Sequence, residues 1–117
     1  GMGALGLPGD LSSSSRFVRA AFVLHNSVCK ESEEESVGHF FHILTSVEQQ
    51  RGCVRVREEE YEITVYSCCC NAEKGIYYYT TYGNRQISAV DMRKENLDGT
   101  VVISYNLVKN EQILMVN

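Results

Sequence analysis

At 117 residues, with 44% of them hydrophobic and 22% charged, the chain falls in the range of one soluble globular domain, residues 1–117, with a small core. Its formal net charge of -4 leaves no basic stripe to neutralise phosphates or to dock on anionic lipid, which argues against nucleic-acid and membrane partners. No apolar run is long enough to span a bilayer, and the opening segment lacks the charged start and continuous apolar stretch of a signal peptide.

The first ten residues hold four of the nine glycines and the only proline, and read as a loop that brings backbone close to another group. Asp10 or Ser12 then opens a helix. From Ser13 to about His25, Phe17, Ala21 and Leu24 fall on one side at helical spacing, and Val18 and Phe22 widen the apolar stripe. Asn26 and Ser27 end it. An acidic connector follows, with Glu33, Glu34 and Glu35 just before Ser36, where negative charge favours the positive end of a helix. The spacing predicts a second helix from about Ser36 to Arg51, buried along Val37, Phe40, Phe41, Leu44 and Val47, with Gly52 closing it in a left-handed conformation.

Beyond Gly52 the apolar period changes from 3.6 to 2. Val54 and Val56 alternate with Arg55 and Arg57, and Ile63 and Val65 alternate with Glu62, Thr64 and Tyr66, which predicts half-buried strands. Asn71 to Gly75 reads as a turn into an aromatic, Thr-rich strand from Ile76 to Tyr82. Gly83-Asn84 fits a two-residue hairpin turn into Arg85 to Val90. Asn96 to Gly99 gives a further turn, with strands expected at Val101 to Tyr105 and Ile113 to Val116. Two helices followed by a mainly antiparallel sheet define an α+β architecture.

Several residue clusters invite a chemical reading and also have a structural one. Gly1, Gly3 and Gly6 match the letters of a dinucleotide fingerprint, but no strand precedes them and Pro8 interrupts the helix that should follow. His39 and His42 share a helix face, yet a metal site needs a further ligand such as His25 or Glu35, so a helix-surface role is expected and no metal or cofactor is assigned. Cys68, Cys69 and Cys70 alternate sides of a strand and cannot all reach one ion; buried free thiols are expected, in keeping with five cysteines and a cytoplasmic location. The Tyr77 to Tyr79 run lacks the basic groove that accompanies a base-stacking platform, and the Glu33 to Glu35 and Glu58 to Glu60 runs read as solvated connectors. Arg16 stands apart. If Ser12 caps the first helix, a cation in its opening turns is disfavoured by about 0.3–1 kcal/mol, and either Asp10 or an anion from elsewhere would compensate it.

The segment Gly6-Leu7-Pro8-Gly9-Asp10-Leu11-Ser12-Ser13-Ser14-Ser15-Arg16-Phe17 resembles the choloylglycine (bile salt) hydrolases and their relatives the penicillin V acylases. Gly52-Cys53-Val54-Arg55-Val56, Tyr66-Ser67-Cys68-Cys69-Cys70-Asn71, Lys74-Gly75-Ile76-Tyr77-Tyr78-Tyr79, Tyr82-Gly83-Asn84 and Gln86-Ile87-Ser88-Ala89-Val90-Asp91-Met92 carry the same resemblance in family order. Cys68 departs from it, standing where the family usually has a second serine.

The resemblance implies half of a four-layer αββα sandwich, in an N-terminal nucleophile hydrolase that cleaves the amide joining a bile acid to glycine or taurine, or alternatively penicillin V. It further implies the C-terminal portion of a longer polypeptide, whose nucleophile is a processed first-residue Cys; Gly1-Met2-Gly3 offers no such group. Arg16 corresponds to the family arginine beside that Cys and is the expected catalytic residue, favouring the thiolate. The chain alone is expected to be inactive, to bind a conjugated bile acid only with the N-terminal portion, and to associate into a homo-oligomer through an uncovered sheet face. A self-associating remnant without catalysis is the alternative.

Overall fold

The structure is a computed structural model and describes residues 3–117; the expectations placed on Gly1 and Met2 lie outside the described residues. The chain divides into two units, one ending at Thr64 and the other beginning at Val65.

The first unit holds helix α1 (Ser13–Asn26), helix α2 (Glu33–Thr45) and a two-stranded ribbon of β1 (Arg55–Arg57) and β2 (Glu60–Tyr61). Ser12 caps α1, its hydroxyl accepting the Ser15 amide at 3.4 Å, and Ser27 closes it by donating its backbone N–H to the Val23 carbonyl. Ser32 caps α2 in the same way through the Glu35 amide. The acidic triplet is therefore the first turn of α2 and not a connector ahead of it, set where the helix dipole favours negative charge.

The second helix stops two turns earlier than its apolar spacing predicts. Ser46 donates its hydroxyl to the Ile43 carbonyl at 2.6 Å, and its own amide is shared among carbonyls of the last turn. Such local side-chain bonding competes with helix propagation. Residues 46–54 instead form an irregular connection with turns at 46–47 and 51–53, in which Gly52 has φ +95. Phe41 and Ile43 are the buried apolar side chains of this helix. Phe40, assigned to the buried stripe, is 40% exposed, and Ile43 takes a core place that the spacing did not assign.

In α1 the expected apolar stripe forms geometrically but is not covered. Phe17 is 74% exposed and Leu24 57% exposed, with Val18 and Phe22 also open. The buried residue of α1 is Ser15.

The second unit is an antiparallel sheet of β3 (Tyr66–Asn71), β4 (Ile76–Thr81) and β5 (Asn84–Asp91), ordered β3-β4-β5, followed by a short 3-10 helix at Met92–Lys94. The alternation over residues 62–65 does not become a ladder; pairing begins at Tyr66 opposite Thr81. Thr81 pairs with Asn84, so the tight turn is Tyr82-Gly83, one residue earlier than Gly83-Asn84. Asn71 shapes the preceding turn: its carbonyl accepts the Gly75 amide at 2.8 Å and its side chain the Lys74 amide at 3.0 Å.

Past the Asn96 to Gly99 turn the chain adds no strand among the described residues, against the two expected there. Residues 108–111 lie instead along the β4–β5 turn. Thr81 donates its hydroxyl to the Val108 carbonyl at 2.8 Å, and the Arg85 amide donates to the Glu111 carboxylate at 3.1 Å.

Candidate functional site

The loop ahead of α1 is held by charge and capping together. Asp10 accepts the Ser12 amide at 2.8 Å and the Ser15 hydroxyl at 2.5 Å. Arg19, one turn further along α1, donates through one Nη to the carbonyls of Pro8 and Asp10 at 3.0 and 2.6 Å. Gly6 begins the loop at φ +92, a conformation that favours glycine. The hydrogen bonds from Ser12, and next from Ser15, pull the Asp10 carboxyl down to about 2.

Asp10 thereby makes this junction pH-sensitive. Its folded-state pKa lies below the ordinary carboxylate value, so the stabilisation is complete above about pH 4 and is lost as the pH falls towards 2. Amide protection at Ser12 and Ser15 is expected to fall across that window. In Asp10→Asn the step should disappear, and an unchanged acid profile in that variant would show that other carboxylates govern the junction.

Arg16 sits in the turn just after the cap, in a helix with no acidic residue in its first turn. It does not pair with Asp10, which is occupied by the two serines. Its Nε donates instead to the Val47 carbonyl at 2.8 Å, and the side chain is half-buried. That carbonyl is available because α2 ends at Thr45; in a helix continuing to Arg51 it would be bound within the helix. No carboxylate among the described residues reaches the guanidinium, whose two Nη groups have no partner there. A positively charged fork is thus anchored at its base, near the positive end of a helix, and left with donors for an anion.

Gln49, a residue that the sequence reading passed over, lies two positions beyond that carbonyl and is 4% exposed. Its Nε2 donates to the Leu11 carbonyl at 3.2 Å, just before the Ser12 cap. Its backbone is bridged to Thr64, the Gln49 amide donating to the Thr64 hydroxyl at 2.8 Å and the Thr64 amide to the Gln49 carbonyl at 3.2 Å. Its Oε1 is buried and receives no hydrogen bond from the described residues. An unsatisfied buried carbonyl of this kind costs about 1–3 kcal/mol. The sequence carried little signal for this residue, since a helix drawn through Arg51 makes Gln49 one more position on a helical surface.

Among the described residues of the first unit, no hydrogen bond or ion pair joins the histidines to Arg16. His39 Nε2 is 3.0 Å from the Ser27 hydroxyl, tying the two helices, whereas His42 and His25 are exposed and Glu35 pairs with Lys30. Among the described residues no group of three His, Cys, Asp or Glu is placed to hold a metal. Cys68 and Cys70 stand opposite Tyr79 and Tyr77 on one sheet face, with Cys69 on the other. All five cysteines are free, but the strand thiols are not buried as expected: Cys70 is exposed and the other two are half-buried. Tyr77 and Tyr79 pack at 6.3 Å between ring centres, and the bond with Cys68 is the first cause that pushes the Tyr77 hydroxyl up to about 12. Glu58 and Glu59 form the β1–β2 turn, and Arg55 lies over the Tyr61 ring at 5.8 Å. No helix among the described residues is long and apolar enough to cross a membrane.

The two capped helices and the antiparallel strands are an α+β arrangement of the N-terminal nucleophile hydrolase fold. The chain belongs to the choloylglycine hydrolase family of linear amide C-N hydrolases, which matches residues 1–105. It is 56% identical over its whole length to a bile salt hydrolase/transferase of Lactiplantibacillus plantarum and 45% identical to one of Clostridium perfringens. In each case it spans 36% of the relative's length. The solved conjugated bile acid hydrolase from Clostridium perfringens superposes on all of this chain, over 36% of its own, with a TM-score of 0.84 and 45% identity. Penicillin V acylase from Agrobacterium tumefaciens shares the fold at 22% identity and a TM-score of 0.65, covering 80% of this chain and 30% of its own.

Proposed function

We propose that this chain is one part of a hydrolase acting on glycine- or taurine-conjugated bile acids, in which Arg16 stabilises a cysteine thiolate supplied by the rest of the polypeptide. The observation that carries the reading is the guanidinium anchored through Nε to the Val47 carbonyl, with its Nη donors lacking an internal anion. A thiolate is favoured by adjacent positive charge, and in N-terminal nucleophile chemistry the free α-amine of the same Cys serves as base. The thiolate adds to the amide carbonyl, the amine returns a proton to the departing glycine or taurine nitrogen, and water then releases the bile acid from the thioester. Arg16 takes no proton in this sequence; it holds negative charge on sulfur.

The test is glycine or taurine release from conjugated bile salts by this chain alone and by the chain assembled with the Cys-bearing remainder. The expected result is silence alone and hydrolysis when both parts are present. A folded assembly that releases penicillin V side chains and leaves bile salts untouched would move the substrate assignment to the acylases. The open α1 face, with Phe17 and Leu24 exposed, also supports self-association of the isolated chain. Native mass measurement is expected to find oligomers, and a strictly monomeric species at tens of micromolar would count against it.

A further inference from the structure

We infer that Gln49 is a positioning residue for Arg16, fixing the start of α1 against the segment whose carbonyl holds the guanidinium. The inference rests on the reading of Arg16 as the group that stabilises a thiolate. Arg16 is held at two places by one short stretch of chain. Val47 grips its Nε directly, at 2.8 Å. Gln49 grips the Leu11 carbonyl, one residue before the cap of the helix that carries Arg16. Thr64 fixes Gln49 in turn, its hydroxyl accepting the Gln49 amide and its own amide donating to the Gln49 carbonyl, so the stretch 47–49 cannot shift without breaking bonds on both sides.

The chemistry of Gln49 separates positioning from simple packing. A buried side chain whose only task is to fill space is better served by Met or Leu, which leave no polar atom unpaired. Gln49 keeps an acceptor, Oε1, without a donor at 4% exposure, and its amide orientation is set because only the NH2 end can face the Leu11 carbonyl. The side chain has one bond made and one acceptor open among the described residues, and the bond made is the one that locates α1. The sites that hold reacting groups need such support, because small displacements are costly: about 1 Å of misplacement can cost 10²-fold in rate.

The experiment uses the protein that carries this chain together with its Cys-bearing portion. Gln49→Met and Gln49→Glu are compared with wild type and combined with Arg16→Ala, reading kcat, the pH profile of thiol alkylation, and hydrogen exchange by segment. Gln49→Met is expected to raise exchange across Leu11 to Arg16 about 10-fold with Phe41 to Ile43 unchanged, to lower kcat about 10- to 100-fold, and to move the thiol profile to higher pH. In the Arg16→Ala background it should have no further effect on kcat, since the group it positions is gone. Equal losses in both backgrounds, or exchange at Leu11 to Arg16 that does not change, would overturn the inference. Uniform loss of protection in both Gln49 variants would make Gln49 a general structural residue and would overturn it as well. If Arg16→Ala leaves kcat intact, the thiolate reading fails by itself, while the exchange result still reports whether Gln49 anchors α1.

Discussion

Replacing Arg16 with Ala in the assembled protein is expected to lower kcat/KM for glycine or taurine release by about 10²–10³-fold, the range seen when a preorganised charge-stabilising donor is removed. The loss should appear mainly in kcat, because a guanidinium in the proposed place beside the thiolate would act on the reacting atoms and only weakly on the steroid body. Arg16→Lys is not expected to restore it. The fork is held by Nε on the Val47 carbonyl with its Nη pair set forward of that anchor, whereas an ammonium has all its donors on one nitrogen and cannot grip that carbonyl and also reach as far as the Nη groups do. The alkylation profile of the nucleophilic Cys should move to higher pH in both variants, since removing or displacing a neighbouring cation raises a thiol pKa. Unaltered kinetics in Arg16→Ala, with folding verified, would remove Arg16 from the mechanism.

Gly83→Ala is expected to destabilise the second unit by about 1–3 kcal/mol, the usual cost of forcing extra atoms into a filled space. A Cβ added at Gly83 would fall on the carbonyl oxygen of Lys109, a backbone atom that cannot turn aside as a side-chain tip can. Either the Tyr82-Gly83 turn or the segment crossing it must move. The second outcome would break the Thr81 bond to Val108 and release the Arg85 amide from Glu111. Denaturant unfolding followed by Tyr fluorescence measures the loss, and proteolysis beyond Tyr105 should quicken with it. Gly38→Ala supplies the contrast. It lies in the middle of α2 with nothing within 4 Å of its added Cβ, so it should stabilise the first unit by about 1 kcal/mol. Equal stability of Gly83→Ala and the parent chain would show that the 108–111 segment does not rest on the turn.

The parts of the structure legible in the residues were those governed by local rules. The Ser12 cap, the α1 span and the β4 and β5 strands follow from capping chemistry and apolar period, and the structure places them within one or two residues, whereas β3 begins four residues after the start of the alternation that reads as a strand. The end of α2 was not legible in that way, because the stripe through Val47 continues at helical spacing past Thr45 while Ser46 withdraws the backbone from the helix. That local event frees the carbonyl that receives Arg16. The expected burial of Phe17 and Leu24 failed for a different reason: amphipathic spacing marks a face that needs covering and says nothing of whether the cover lies within the same 117 residues. Arg16 is proposed from its motif, whereas Gln49 has no motif and emerges only once Leu11, Val47 and Thr64 are seen around it.

The segment across the β4–β5 turn also sets an order of events during synthesis. The two hairpins of the second unit close through short turns, a process of about 1–10 μs for a hairpin once its strands are available. The contact from Thr81 to Val108 joins residues 27 apart. At roughly 5–20 residues per second, the ribosome delivers Val108 on the order of seconds after Thr81 has emerged. From the emergence of Asp91 until Val108 follows, the hairpin stands with its turn bare, and the Thr81 hydroxyl and the Arg85 amide face water. A nascent chain arrested shortly before Val108 should therefore show both hairpins formed and the turn open, with closure following only as Glu111 leaves the exit tunnel.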